Sequence, residues 1–133
     1  MLAKIEKPVR VLVVDDSDVF RNVLRAVVTA TPAFEVVGAA SSGREALEMV
    51  DRLVPELVLA DVAMPELDGT ETARLIRRRY PEIVVVLLSA FSRASAKDPE
   101  QSVVDKRDLS PRWLAEFWAA RGGSASSVGA PTA

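Results

Sequence analysis

The chain has 133 residues, 49% of them apolar and 27% charged, which is the length and composition of one globular domain. Seventeen basic against nineteen acidic side chains leave a net charge of −2, too weak a field to gather nucleic acid or an anionic membrane. Cysteine and histidine are both absent, which excludes disulfide scaffolds, thiolate or imidazole metal sites, cysteine nucleophiles and Ser-His-Asp triads. Carboxylates, hydroxyls, amines and a hard cation remain.

The first ten residues carry charges and Pro8 rather than the apolar stretch of a signal peptide. The longest apolar run, Ile83 to Leu88, is six residues, where a membrane helix needs about 20. A soluble, cytoplasmic protein without membrane contact is expected. Val9 to Val14 (VRVLVV) reads as a β-branched strand that ends at Asp15-Asp16. From Ser17 to about Ala30, Val19, Val23, Leu24, Val27 and Val28 recur at helical spacing, with Ser17 or Asp16 as N-cap. Thr31-Pro32 stops that helix, and Phe34 to Ala40 is a second strand. A helix from Ser42-Gly43 carries Ala46, Leu47, Val50 and Leu53 on one face and ends before Pro55.

Glu56 to Ala60 is a third strand, ending at Asp61. Asp61 to Gly69 (DVAMPELDG) reads as a loop, with Pro65 and Asp68-Gly69 as turn signals. A helix over Thr70 to Tyr80 leads to Ile83–Leu88, the continuous apolar run of a central parallel strand. Phe91 to Gln101 shows little periodicity, and Val103-Val104 is a stub of a fifth strand. Ser110-Pro111 starts a last helix bearing Trp113, Leu114, Phe117 and Trp118. Gly122 to Ala133, rich in Gly, Ser and Ala, is expected to be a disordered tail. Strands alternating with helices predict an α/β domain, a mostly parallel sheet with helices on both faces.

Such sheets bind ligands at the carboxyl ends of their strands. The residues there are Asp15 and Asp16, Asp61, Ser89 and Lys106. Three carboxylates and one lysine sum to −2, so either a pKa rises or a divalent cation binds; Mg²⁺ suits the oxygen donors. Singly, each residue has a plainer reading, as a helix cap, a turn residue or a solvated loop charge; their joint placement carries the expectation.

Taken in order, VLVVDDS, LVLADVAMPELDG, VVVLLSA and VVDK resemble the receiver domain of bacterial two-component response regulators, over residues 9 to 121. The resemblance implies a doubly wound, flavodoxin-like sheet of five parallel strands. It implies that Asp61 is the phosphoacceptor, that Asp16 and the Ala63 carbonyl join Asp61 around Mg²⁺ with Asp15 acting mostly through water, and that Ser89 and Lys106 hold phosphoryl oxygens. The implied phosphoryl donor is a sensor histidine kinase or a histidine phosphotransfer protein. The chain would then be a switch rather than an enzyme, a stand-alone receiver with a changed surface as its output and no direct DNA binding.

Three features depart from the family pattern. Only seventeen positions separate Ser89 from Lys106, so the helix before the fifth strand is expected to be short or missing, with Lys97 as the alternative lysine. Val103 stands where many members carry a switching aromatic. Ala63 and Phe91 flank the implied path of hydrolytic water, and neither can polarise it. Most of the last helix's aromatic stripe reads as core, but the shortened segment also predicts that part of an aromatic is left exposed, forming with Phe91–Gln101 a face for a second copy or a downstream target. Two alternatives remain at this level: a phosphatase of the haloacid-dehalogenase type, whose Asp-x-Asp Asp16-Ser17-Asp18 superficially matches, and a degenerate receiver that binds partners unphosphorylated.

Overall fold

The structure, a computed structural model, describes residues 7–90 and 102–121. Its elements are β1 (Val9–Val14), α1 (Asp18–Ala30), β2 (Phe34–Ala40), α2 (Gly43–Leu53), β3 (Leu57–Asp61), α3 (Gly69–Arg79), β4 (Val84–Ser89), β5 (Ser102–Asp105), a single 3-10 turn (Lys106–Asp108) and α4 (Pro111–Ala120). The expected fold is present: five parallel strands in the order β2-β1-β3-β4-β5. The chain reverses its direction of winding between β1 and β3, so their carboxyl ends flank the crevice where such sheets place a site.

The strand sequences are apolar at successive positions because both faces are covered. Leu12, Val14, Val58, Ala60, Val85 and Leu87 face one layer, packed with Ala46 and Val50 of α2 and Ala73 and Ile76 of α3. Val11, Val13, Leu57, Leu59, Val86 and Leu88 face the other, against Leu24 and Val28 of α1 and Leu114 of α4. Among the described residues, each of the four α-helices begins on a side-chain cap. Ser17, Ser42, Asp68 and Ser110 accept the backbone N–H of Phe20, Glu45, Glu71 and Trp113, at 2.9–3.2 Å, worth about 1 kcal/mol each.

Several details differ from the sequence expectation. On α1 the sheet-facing row is Phe20, Leu24 and Val28; Val19 is 76% exposed and Val23 42%. A helix puts 19 and 23 on the row beside 20 and 24, and the sheet covers only one of them. Asp68-Gly69 is not a free turn but the cap and first residue of α3, which extends the helix one position upstream of Thr70. The aromatics of α4 are half-buried, so each stays partly exposed as expected: Trp113 stacks on Phe117 with ring centroids 5.0 Å apart, and Trp118 meets Phe34 edge-on at 6.1 Å. The rings cover one another, so the large apolar side chains exposed among the described residues are Val19, Val23 and Val54. Phe91–Gln101, where the helix is expected to be short or missing and where Lys97 stands, and the tail Gly122–Ala133 lie outside the described residues. Among the described residues, no helix is long and apolar enough to cross a membrane.

Candidate functional site

The site forms where β1, β3, β4 and β5 end side by side. Register aligns Val14 with Ala60, Asp61 with Leu88, and Ser89 with Asp105, so the residues at or just past these points share one edge. Asp15, directly after β1, is fully buried. Its backbone is fixed at both ends: its N–H donates to the Ala40 carbonyl (3.1 Å), and its own carbonyl accepts from Arg21 Nη1 (2.7 Å). Its Oδ1 accepts the Ser17 N–H at 2.9 Å, the turn that also starts α1. Its Oδ2 is buried without a hydrogen bond and faces Lys106 Nζ at 3.2 Å. Asp16 is exposed.

Asp61 ends β3 and is buried. Lys106, first residue after β5, brings Nζ to 3.6 Å from Asp61 Oδ1, and the Ala63 N–H donates to that same oxygen at 3.4 Å. The loop after Asp61 is tied down by two backbone bonds, Val62 N–H to the Leu88 carbonyl and Gly69 N–H to the Val62 carbonyl, both 2.8 Å. Ser89 is buried at the end of β4. Carboxylate oxygens of Asp15, Asp16 and Asp61 lie within 4.8 Å of one another. Burial, then the Asp15 charge, push the Asp61 carboxyl above the ordinary carboxylate range, while Lys106 and the Ala63 N–H pull it back. One ammonium against three carboxylates leaves the pocket short of positive charge. An all-oxygen donor set with one buried oxygen lacking a hydrogen bond fits a hard divalent cation.

The structure therefore brings together Asp15, Asp16, Asp61 and Lys106, with Ser89 on the adjoining strand end. Phe91 lies outside the described residues. Two contacts escaped the sequence reading: Arg21 on the Asp15 carbonyl, and the Phe20 ring, whose centroid is 4.0 Å from Lys106 Nζ. For Phe20 the signal was the helix row Phe20-Leu24-Val28, one turn beyond the acidic pair; nothing in the sequence marked Arg21.

Asp105, the residue before Lys106 at the end of β5, is held by Arg107. Its carboxylate accepts the Arg107 N–H (2.7 Å) and two nitrogens of the Arg107 guanidinium, with Nη2 at 2.7 Å. The Arg107 side chain, then its N–H, hold the Asp105 carboxyl down from 3.8 to about 2. A carboxyl depressed by folding stabilises the fold above its unfolded value and loses that contribution as pH falls through its folded value. Asp105→Asn should therefore lower Tm at pH 7, and the gap to the unmodified chain should close between pH 4 and about 2. A gap constant over that range would show that the carboxylate charge contributes nothing.

The family model described as "Response regulator receiver domain" matches residues 11–102. The protein-glutamate methylesterase/protein-glutamine glutaminase of Pyrococcus abyssi is 41% identical over 91 residues, 68% of this chain and 24% of that protein. The protein of the same description from Alkalilimnicola ehrlichii is 43% identical over 109 residues, 82% of this chain and 28% of its own length. Among solved structures, the response regulator domain of Thermotoga maritima CheB superposes with a TM-score of 0.74 at 29% identity, covering 90% of this chain and all of that one. The signal receiver domain of the putative response regulator NarL from Mycobacterium tuberculosis also gives 0.74, at 28% identity, covering 88% of this chain and 99% of that one.

The chain belongs to the response regulator receiver family. It spans about a quarter of the length of the curated relatives it matches. The match sets aside the haloacid-dehalogenase reading. It ends at residue 102; Lys106 lies beyond it and is placed at the site by its contacts with Asp15 and Asp61.

Proposed function

We propose that residues 9–121 form a phosphoacceptor switch in which Asp61 takes a phosphoryl group from a phosphohistidine. The observation that carries this reading is Lys106 Nζ set between two buried carboxylates, 3.2 Å from Asp15 and 3.6 Å from Asp61. These 133 residues hold no histidine, so the proposed donor phosphohistidine lies outside them, on a sensor histidine kinase or a histidine phosphotransfer protein. An Asp61 carboxylate oxygen bonds to phosphorus as the phosphorus–nitrogen bond breaks, and the donor imidazole leaves with that electron pair and takes up a proton. Such transfer needs positioning and charge neutralisation rather than a histidine in the acceptor. Lys106 and the Ser89 hydroxyl hold phosphoryl oxygens. Asp15, Asp16, Asp61 and the Ala63 carbonyl would hold Mg²⁺, which when bound neutralises charge on the carboxylates and the phosphoryl group. Phosphorylation replaces the Asp61 charge with a group of about −2, which changes the local field and hence the surface.

Incubation with a small acyl phosphate and Mg²⁺, followed by peptide mass spectrometry, tests this reading. Metal-dependent label on Asp61 supports it. Label on Asp16 overturns it by moving the acceptor, and no label at all overturns it and leaves an unphosphorylated binding module. The cytoplasm is the proposed compartment, where such donors act.

The switched surface can serve a receiver acting alone or one that governs an effector domain. The second arrangement is favoured by the relatives, longer proteins described as methylesterases and glutaminases. The lifetime of the phosphoryl group is a further expectation. Hydrolysis needs a water oriented for in-line attack, and the exposed Ala63 methyl offers it no hydrogen bond. Ala63→Asn should speed dephosphorylation about tenfold, equivalent to about 1.4 kcal/mol of barrier. Equal decay rates would remove Ala63 from the control of hydrolysis.

A further inference from the structure

We infer that Phe20 is a positioning residue for phosphoryl transfer, holding the Lys106 ammonium over the carboxylate pair through the face of its ring. The inference rests on the roles proposed for Asp61 and Lys106. Lys106 Nζ lies 4.0 Å from the Phe20 ring centroid while it also faces Asp15 Oδ2 and Asp61 Oδ1. Two sides of the ammonium meet carboxylates and a third meets the ring. The Lys106 side chain is only 18% exposed, so this cation–π contact is partly shielded from water, where it is strongest.

The ring is anchored independently of the lysine. Ser17 Oγ accepts the Phe20 N–H at 3.2 Å, and the Ser17 N–H in turn donates to Asp15 Oδ1 at 2.9 Å. Phe20 also packs on the cluster that contains Leu24, Val28 and Leu88. One short stretch thus fixes both the acid that Lys106 faces and the ring it rests on.

The physical need follows from lysine itself. Its four-carbon stem carries about 2 kcal/mol of rotamer freedom, and its ammonium is a strongly hydrated point charge. A fourth carboxylate could fix it but would add negative charge where an anionic phosphoryl group must arrive. An aromatic face attracts the cation without that charge. The ring preorganises Lys106 before the phosphoryl group binds, so the ordering cost is not met in the transition state.

The test compares initial rates of Asp61 labelling by a small acyl phosphate with Mg²⁺ in the full chain. Phe20→Leu keeps an apolar side chain but no π face; Phe20→Trp keeps and strengthens the face. A series with mono-, di- and trifluorophenylalanine at position 20 weakens the face while nearly keeping its shape. We expect Phe20→Leu to slow labelling about threefold to tenfold, Phe20→Trp to retain the rate, and the fluorinated series to slow it stepwise at constant Tm. A merely structural role would follow volume and Tm rather than fluorination. Equal rates across the fluorinated series at constant Tm overturn the inference while Asp61 labelling stands. No labelling of the unmodified chain overturns the Asp61 reading, and this inference with it.

Discussion

Asp61→Asn should abolish Mg²⁺-dependent phosphorylation while leaving the fold intact, the largest single effect expected on this protein. The amide keeps the shape of the carboxyl but is a far poorer nucleophile, and among the described residues the other buried carboxylate paired with Lys106 is Asp15. Asp15 is bound by the Ser17 N–H and enclosed by the start of α1, which leaves it poorly placed for attack. In metal-free buffer the variant should be no less stable than the unmodified chain. Burial and the Asp15 charge both disfavour ionised Asp61, and replacing it with a neutral amide relieves that repulsion at the loss of one pairing to Lys106. Intact-mass measurement after acyl phosphate treatment, with thermal denaturation beside it, reads both halves. Persistent labelling would place the acceptor elsewhere, and a collapsed Tm would make Asp61 a structural residue first.

Gly69→Ala is the second change expected to have a large effect, this time through the backbone. A Cβ at position 69 would stand 2.1 Å from the carbonyl oxygen of Asp61 and 2.9 Å from its carbonyl carbon and from the Val62 Cα. These are backbone atoms of the strand that carries the phosphoacceptor candidate, so no side-chain rotation relieves the clash. Either the start of α3 lifts away, breaking the Gly69 N–H bond to the Val62 carbonyl, or the end of β3 shifts with Asp61. Overpacking of this kind costs about 3 kcal/mol, which for a domain of this size lowers Tm by about 10 °C. Labelling of Asp61 should fall as well, because the displaced atoms belong to that residue. Alanine suits the first turn of a helix, so a wild-type Tm and labelling rate would mean that β3 and α3 can separate freely.

The fold was legible because its signals are local. The runs VRVLVV, ELVLA and IVVVLL are apolar at successive positions, as strands covered on both faces must be, and each is followed by helix-capping or turn residues. Ser42 and Ser110 announce their helices within four residues of chain, whereas Asp68 reads as a turn residue and proves to be the cap of α3. Once the strands are parallel, the residues after them must share an edge, and so Asp15, Asp16, Asp61, Ser89 and Lys106 could be gathered from the sequence alone. Helix α1 was less legible, since Val19 and Val23 look as apolar as Leu24 and Val28; only the angle at which the helix meets the sheet chooses between neighbouring rows.

The tertiary structure decided what depends on contacts between distant segments. Residue type alone makes Asp15 and Asp16 a like pair, but folding buries one completely and leaves the other in solvent, because the Ser17 turn and Arg21 hold Asp15 inward. Gly69 reads as a turn residue until β3 and α3 approach within the radius of a methyl group. Lys106 is 91 positions from Asp15 and 86 from Phe20. That it meets both depends on β5 pairing beside β4 and α1 folding back over the sheet. The chain alone set the types of chemical group and the strand ends on which they stand. Their distances, and the field that each carboxylate feels, come from long-range packing, for which no local pattern of residues carries a signal.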